Sequence, residues 1–143
     1  MTDIDFAKLK TAFDQLSPGS KADIRRVAAP EDLDWLPAFY RLLPPGVKPN
    51  DQWKRIIFLL PWAAHAPGAK PLGRAMHDNQ IAEMRIFQMA KSEFPQDIIH
   101  LRRILRQMKT SLDWTDFGQS LFFWSDNRKK AILRDYFYTS KAE

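Results

Sequence analysis

Four cations stand out in the stretch from Ile98 to Lys109, Ile-Ile-His-Leu-Arg-Arg-Ile-Leu-Arg-Gln-Met-Lys. Arg102, Arg103, Arg106 and Lys109 have no acidic neighbour there, although a surface helix gains about 0.2–0.5 kcal/mol from each Glu–Lys pair four residues apart. Ile98, Leu101, Leu105 and Met108 recur at three- and four-residue intervals, the period of one helix face. Such a helix buries its apolar side and shows a stripe of positive charge. The stripe is either a solvated face or a surface that meets phosphates.

Other chemistry is poorly supplied. The three histidines are scattered, with no HExxH motif and no pair at i and i+4. His77-Asp78 would need further ligands to hold a metal, and His65 and Asp97 are the only candidates; an exposed histidine near a helix end is the better account. Asp113 and Asp116 are close enough for paired carboxylates, but acidic residues also gather at helix N-termini. There is no glycine-rich phosphate loop, GxSxG or redox motif. The absence of cysteine excludes thiolate metal sites, disulfides and cysteine nucleophiles. No catalysis, metal, cofactor or small-molecule substrate is expected.

Five Trp and ten Phe could stack on unpaired bases. Phe6, Phe13, Phe39, Phe58, Phe87, Phe117 and Phe137 fall on apolar helix faces, however, where packing explains them better. Basic residues should therefore carry more of any nucleic-acid binding than aromatic ones. Phe122-Phe123-Trp124 cannot all face one way, which places one of them at a subunit interface.

The elements that would position these residues are helical throughout, with no convincing strand alternation. Asp3 or Asp5 opens a helix carrying Phe6, Leu9, Phe13 and Leu16, and Ser17-Pro18-Gly19 ends it. Ser20 with Asp23 resembles a capping box for a second helix to Val27. A short turn lies between Pro30 and Pro37, a helix runs from Ala38 to Leu43, and Asp51 caps another to Leu60. Ala66-Pro67-Gly68-Ala69-Lys70-Pro71 reads as a linker. Helices follow at Leu72–His77 and Ile81–Lys91 (capped by Asn79), then at the basic stretch with Pro95 in its first turn. Asp113 caps Thr115–Trp124, and Asp126 or Asn127 caps a last helix to Tyr138. The fold class is all-α: two small helical lobes, 1–66 and 67–143, packed into one compact helical bundle.

A chain of 143 residues can bury a core without staples. Its net charge of +5 is uneven: nine basic and eight acidic side chains precede Pro67, thirteen and nine follow. A polyanionic partner is implied, and it meets the more basic second lobe. No apolar run approaches a membrane span, and the N-terminus lacks signal-peptide features, so the expected location is the cytoplasm.

Several segments together carry a family resemblance. Gly19 to Val27, Pro30, and Pro37-Ala38-Phe39-Tyr40-Arg41-Leu42 come first. Leu72-Gly73-Arg74-Ala75, Arg85-Ile86-Phe87-Gln88, Leu101-Arg102-Arg103-Ile104-Leu105 and Leu112-Asp113-Trp114 follow in order. This collinear set resembles the small subunit (CasB type) of the type I-E CRISPR surveillance complex, Cascade, over roughly residues 16–43 and 72–138. The resemblance implies a non-catalytic, all-helical protein present in two copies. Its implied partners are the large and backbone subunits, a second copy of itself, crRNA, and target and non-target DNA. It would stabilise the crRNA–target assembly and hold the displaced non-target single strand on a basic surface.

Base pairing reads sequence in such systems, so affinity for the backbone is enough, and Lys and Arg supply it by releasing counterions. Arg102 and Arg103 fall on the family's Leu-Arg-Arg motif, and Arg106 extends it. The resemblance also points to Lys91 and to Arg128, Lys129 and Lys130 after the aromatic run. Arg25, Arg26 and Arg74 lie in matching motifs, as do Arg41 and Arg85; each of these is equally a candidate for bonding helix ends. Phe94 and the Ser125-Asp126-Asn127 insertion depart from the pattern and put two contacts in doubt, and the chain is short between Leu60 and Leu72. One alternative is a helix-turn-helix regulator that places Arg25 and Arg26 in a duplex major groove. Another is a protein-binding scaffold whose charge serves solubility.

Overall fold

The computed structural model describes residues 4–142, the last four as backbone only. In chain order the helices are α1 Phe6–Asp14, α2 Pro18–Arg26, α3 Pro37–Leu42, α4 Asp51–Leu59, α5 Leu72–Asp78, α6 Glu83–Lys91, α7 Gln96–Met108, α8 Trp114–Phe122 and α9 Asp126–Ala142. Pro30–Trp35 and Leu60–Trp62 form 3₁₀ turns. Among the described residues, extended pairing is limited to one isolated bridge, His65 to Leu112. There the Leu112 N–H donates to Ala64 O (2.9 Å) and the Ala66 N–H to Leu112 O (3.0 Å). The all-α expectation holds.

Helix starts follow local chemistry. Asp5 accepts from the Lys8 N–H (2.9 Å) and Asp113 from that of Thr115 (3.0 Å), as their positions suggested. Elsewhere the cap sits next to the expected residue. Ser17, not Ser20, caps α2 by accepting from the Ser20 N–H (3.2 Å), because Pro18 has no N–H to lose and suits the first helical position. Asn50 rather than Asp51 caps α4. Ser125 accepts from the Arg128 N–H ahead of Asp126. Asn79, expected to open α6, instead closes α5 by donating to Ala75 O (2.8 Å).

Helix ends are closed from a distance. Lys21 donates to Asp14 O at the end of α1 (3.2 Å), and Lys10 to Leu60 O after α4 (2.8 Å). Arg102 donates to Val27 O (2.5 Å) and Ala28 O (3.3 Å) after α2. Lys129 donates to Ser92 O after α6 (2.8 Å). Arg55 donates to Leu121 O (2.9 Å) and Phe122 O (3.3 Å) at the end of α8, joined by Gln52. The last carbonyls of a helix have no partner within it and carry the negative end of its dipole, so a cation is the suitable donor.

One apolar cluster runs through the described residues, including Phe13, Phe39, Ile56, Leu60, Met76, Leu101 and Trp114. α8, from beyond the expected boundary at residue 66, lies against α1 and α4. α5 packs along α9, and α6 on α7 and α9. Two glycines permit close approach. A Cβ on Gly73 would strike Ile132 O and Asp135 on α9, and one on Gly118 would strike the Phe6 ring. The aromatic run divides: Phe122 packs against Phe6 and Trp53, Trp124 donates to Asp97, and Phe123 stays half exposed.

Gly73→Ala should lower stability by about 1–3 kcal/mol, the usual cost of overpacking, read as a fall in the thermal midpoint. The Asp113 carboxyl is held below its usual range, chiefly by the Gly68 N–H and also by that of Thr115. Its contribution is therefore full above the unfolded carboxylate pKa, about 3.9, and is lost as pH falls through the lowered folded value. Wild type should exceed Asp113→Asn in stability at neutral pH, and denaturant titrations of the two should converge in strong acid.

Candidate nucleic-acid interface

The periodicity of α7 is as expected: Ile98, Leu101, Ile104, Leu105 and Met108 are buried, and Arg103, Arg106 and Lys109 are exposed. Arg102 is the exception within the stripe. Besides its two carbonyls, its guanidinium lies 4.5 Å from the centroid of the Phe58 ring. Burial lowers its pKa, and the like charges of Arg103 and Arg106 lower it further. Its donors are turned inward to join α7 to α2, which gives it a structural role.

Lys129 is also engaged internally. It is buried, with Nζ 2.9 Å from Asp97 Oδ2 as well as bonded to Ser92 O. Asp97, also buried, accepts from the Trp124 indole N–H (3.0 Å) and from the Ile98 N–H (2.7 Å). This satisfied knot fixes the start of α9 to the start of α7. Its neighbours differ: Lys130 is exposed, whereas Arg128 is half buried in a pocket of about 280 Å³ beside Asp113, Asp116 and Asp135. Burial raises the Asp135 pKa, against the pull of Arg134.

The structure brings together residues that are far apart in sequence on the other side of α7. Arg25 of α2 and Arg106 of α7 each place a guanidinium carbon 5.9 Å from the centroid of the Trp62 ring. Trp62 ends the 3₁₀ turn after α4, and its indole N–H finds no acceptor among the described residues. The ring is therefore held by packing and by cations. Beside it runs an open groove of about 380 Å³ lined by Pro61, Ala63, Leu105, Arg106, Lys109, Thr110 and Ser111. Lys10 belongs to the same region. Burial lowers its pKa, Asp14 opposes that shift, and the charges of Arg25 and Lys21 add to it.

The basic seam thus comprises Arg25, Arg106 and Lys109 around Trp62, with exposed Arg103 on the same helix. Arg26 is exposed beside it in sequence but pairs with Asp23 (2.8 Å). Lys91 lies 5.9 Å from the Phe87 ring on α6, and Arg74 is exposed on α5; no observation joins either to the seam. Twelve residues of helix separate Asp97 from Lys109, so the Lys129 knot and the seam lie about 18 Å apart along α7. Sequence reasoning missed Trp62. The Pro61-Trp62 pair at the end of an apolar run was the available signal, since proline there ends the regular helix and leaves the next ring only partly buried. Among the described residues no cluster of His, Cys, Asp or Glu is arranged to hold a metal, and no helix is long and apolar enough to cross a membrane.

Comparison with known proteins decides the family. The model for the CRISPR-associated protein Cse2 matches residues 20–137. The chain belongs to the Cse2 family. It is 32% identical to the CRISPR system Cascade subunit CasB of Escherichia coli (strain K12), in an alignment covering 96% of each chain. It also superposes with a TM-score of 0.91, at 32% identity, on a chain in the crystal structure of E. coli Cascade bound to a PAM-containing dsDNA target. That match covers 99% of this chain and all of the other. Within the Cse2 fold seen here, the basic helix α7 is both a surface and a strut, a division that sequence matching alone does not reveal.

Two substitutions separate these roles. Arg102→Ala should cost about 2–3 kcal/mol, since it leaves two helix-end carbonyls without a charged donor. Arg103→Ala should stay within about 0.5 kcal/mol of wild type in the same denaturant titration. Lys129→Ala should be costlier than either, about 3–5 kcal/mol, because it strands a buried carboxylate.

Proposed function

We propose that this chain is a non-catalytic small subunit of a type I-E CRISPR–Cas effector, Cascade, acting in the cytoplasm. It stabilises the crRNA–target assembly and holds the displaced non-target single strand. Its partners are the large and backbone subunits, a second copy of the chain, crRNA and DNA. The observation that carries this reading is the convergence of exposed cations from α2 and α7 on Trp62. It occurs in a chain that matches, over almost its whole length, one found in a DNA-bound Cascade. The strand contacts are assigned to Arg25, Arg103, Arg106 and Lys109, with Arg26 at their margin. Lys91, Arg128, Lys130 and Arg74 form outlying positive points.

The physical logic concerns a small energy difference. The heteroduplex formed by guide RNA is about as stable as the DNA duplex it replaces. A few phosphate contacts to the displaced strand are therefore enough to keep it from reannealing. Each contact requires a cation whose donors are free, which favours Arg103, Arg106 and Lys109 over Arg102 and Lys129.

The test is reconstitution with crRNA and the other subunits, followed by R-loop lifetime across a salt series. Replacing Arg103, Arg106 and Lys109 together by Gln should leave incorporation intact and shorten the lifetime. The slope of log lifetime against log salt should flatten by about 2, near 0.7 for each single-strand phosphate lost. Unchanged lifetime and slope would overturn the assignment. Lys109 also has a left-handed backbone, φ 51°, so Lys109→Gly should shorten the lifetime while raising stability by up to about 1 kcal/mol.

A further inference from the structure

The groove beside Trp62 has a character that backbone contacts alone do not require. Pro61, Ala63 and Leu105 supply apolar lining, and Thr110, Ser111, Arg106 and Lys109 line it with polar and charged groups. Trp62 is half buried and lines it, with Arg25 and Arg106 flanking the ring. A purely phosphate-binding surface needs cations and water, and apolar walls are a poor neighbour for a solvated anion. A nucleotide satisfies both parts of the site: its planar base suits an aromatic ring and apolar walls, and its phosphates suit the cations.

We propose that this groove takes an unpaired nucleobase of the bound strand, packed against Trp62, with Arg106 and Lys109 on the adjoining phosphates. The inference rests on the strand-holding reading above and adds to it a specific occupant and a specific residue. Its chemical class is a single-stranded nucleotide of any base, since every base has a stacking face. Duplex DNA is excluded from the groove because its bases are stacked and paired. The arrangement spans both halves of the sequence: α2 supplies Arg25, the turn after α4 supplies Trp62, and α7 supplies Arg106. Docking of α7 on α2 through Arg102 is therefore a precondition for the site.

The test uses the assembled crRNA-loaded complex and a pre-opened target whose displaced strand cannot pair with the guided strand. Two versions of that strand are compared, one of thymidines and one abasic at the same positions, with the same phosphates. Wild type should hold the thymidine strand about 5- to 150-fold longer than the abasic one, the range for losing one base–aromatic stack. Trp62→Leu should bring the two lifetimes together, Trp62→Phe should retain part of the difference, and Arg106→Ala should shorten both alike. Incorporation and thermal midpoint of each variant show that the fold is kept. Equal wild-type lifetimes on the two strands, still longer than in a complex lacking the chain, would overturn the base pocket and leave the strand-holding surface standing. Lifetimes no longer than in a complex lacking the chain would remove both.

Discussion

Helix-end carbonyls need partners, and in this protein side-chain donors from neighbouring or distant segments supply several of them beside the capping backbone N–H groups. Arg102, Arg55, Lys10 and Lys129 each reach helix-end carbonyls between 37 and 75 residues away, and Lys21 reaches back over seven. Short helices depend on such links. Most helices here span only six to nine residues, below the length at which an isolated helix is stable in water. Apolar burial drives them together, but it is not directional. A cation aimed at a helix end fixes register, because its donors fit one end of one helix and no other part of the surface.

The same interaction gives α7 two roles. Arg102 anchors the helix to the end of α2, and that anchoring brings Arg25 within reach of the ring that Arg106 also flanks. At the other end of α7, Asp97 gathers Lys129 and Trp124, so the aromatic run after α8 and the start of α9 are placed by one carboxylate. Cations used in this way are withdrawn from the outer surface. Their neighbours Arg103, Arg106, Lys109 and Lys130 keep their donors turned to solvent, although the sequence presents all of them as one basic group.

Much of this was legible before the structure, for reasons that can be named. The buried face of α7, the caps at Asp5 and Asp113 and the turn between Pro30 and Pro37 depend on neighbours within a few residues, where periodicity and capping chemistry operate. Cap positions slipped by one to three residues at Ser17 and Asn50, because Pro18 favours Ser17 as the cap and Asn50 is a second capping residue beside Asp51. The internal bonds of Arg102 and Lys129 were not legible because their partners are distant. A signal did exist: Arg102 follows Ile98 by four residues, and Lys129 precedes Ile132 and Leu133 by three and four. Each therefore lies on or beside its helix's apolar face, as Lys10 does between Phe6 and Phe13. A cation in that position is more readily an internal donor than an external one. The Trp62 cluster had no local signature beyond the Pro61 break, since its three members come from segments that meet only through tertiary packing.

Turning part of the charge inward also bears on competition. Bulk nucleic acid vastly outnumbers any one intended strand, and it captures proteins by close approach of cations to phosphates, whatever the sequence. A guanidinium seated on Val27 O and Ala28 O, or an ammonium seated on Asp97 and Ser92 O, makes that approach only by giving up those partners. The protein thus has the cations that its architecture requires without offering all of them to every passing polyanion. The positive surface left exposed is smaller than composition suggests, and under the strand-holding role proposed above a strand presented at high local concentration would prevail over the surrounding pool.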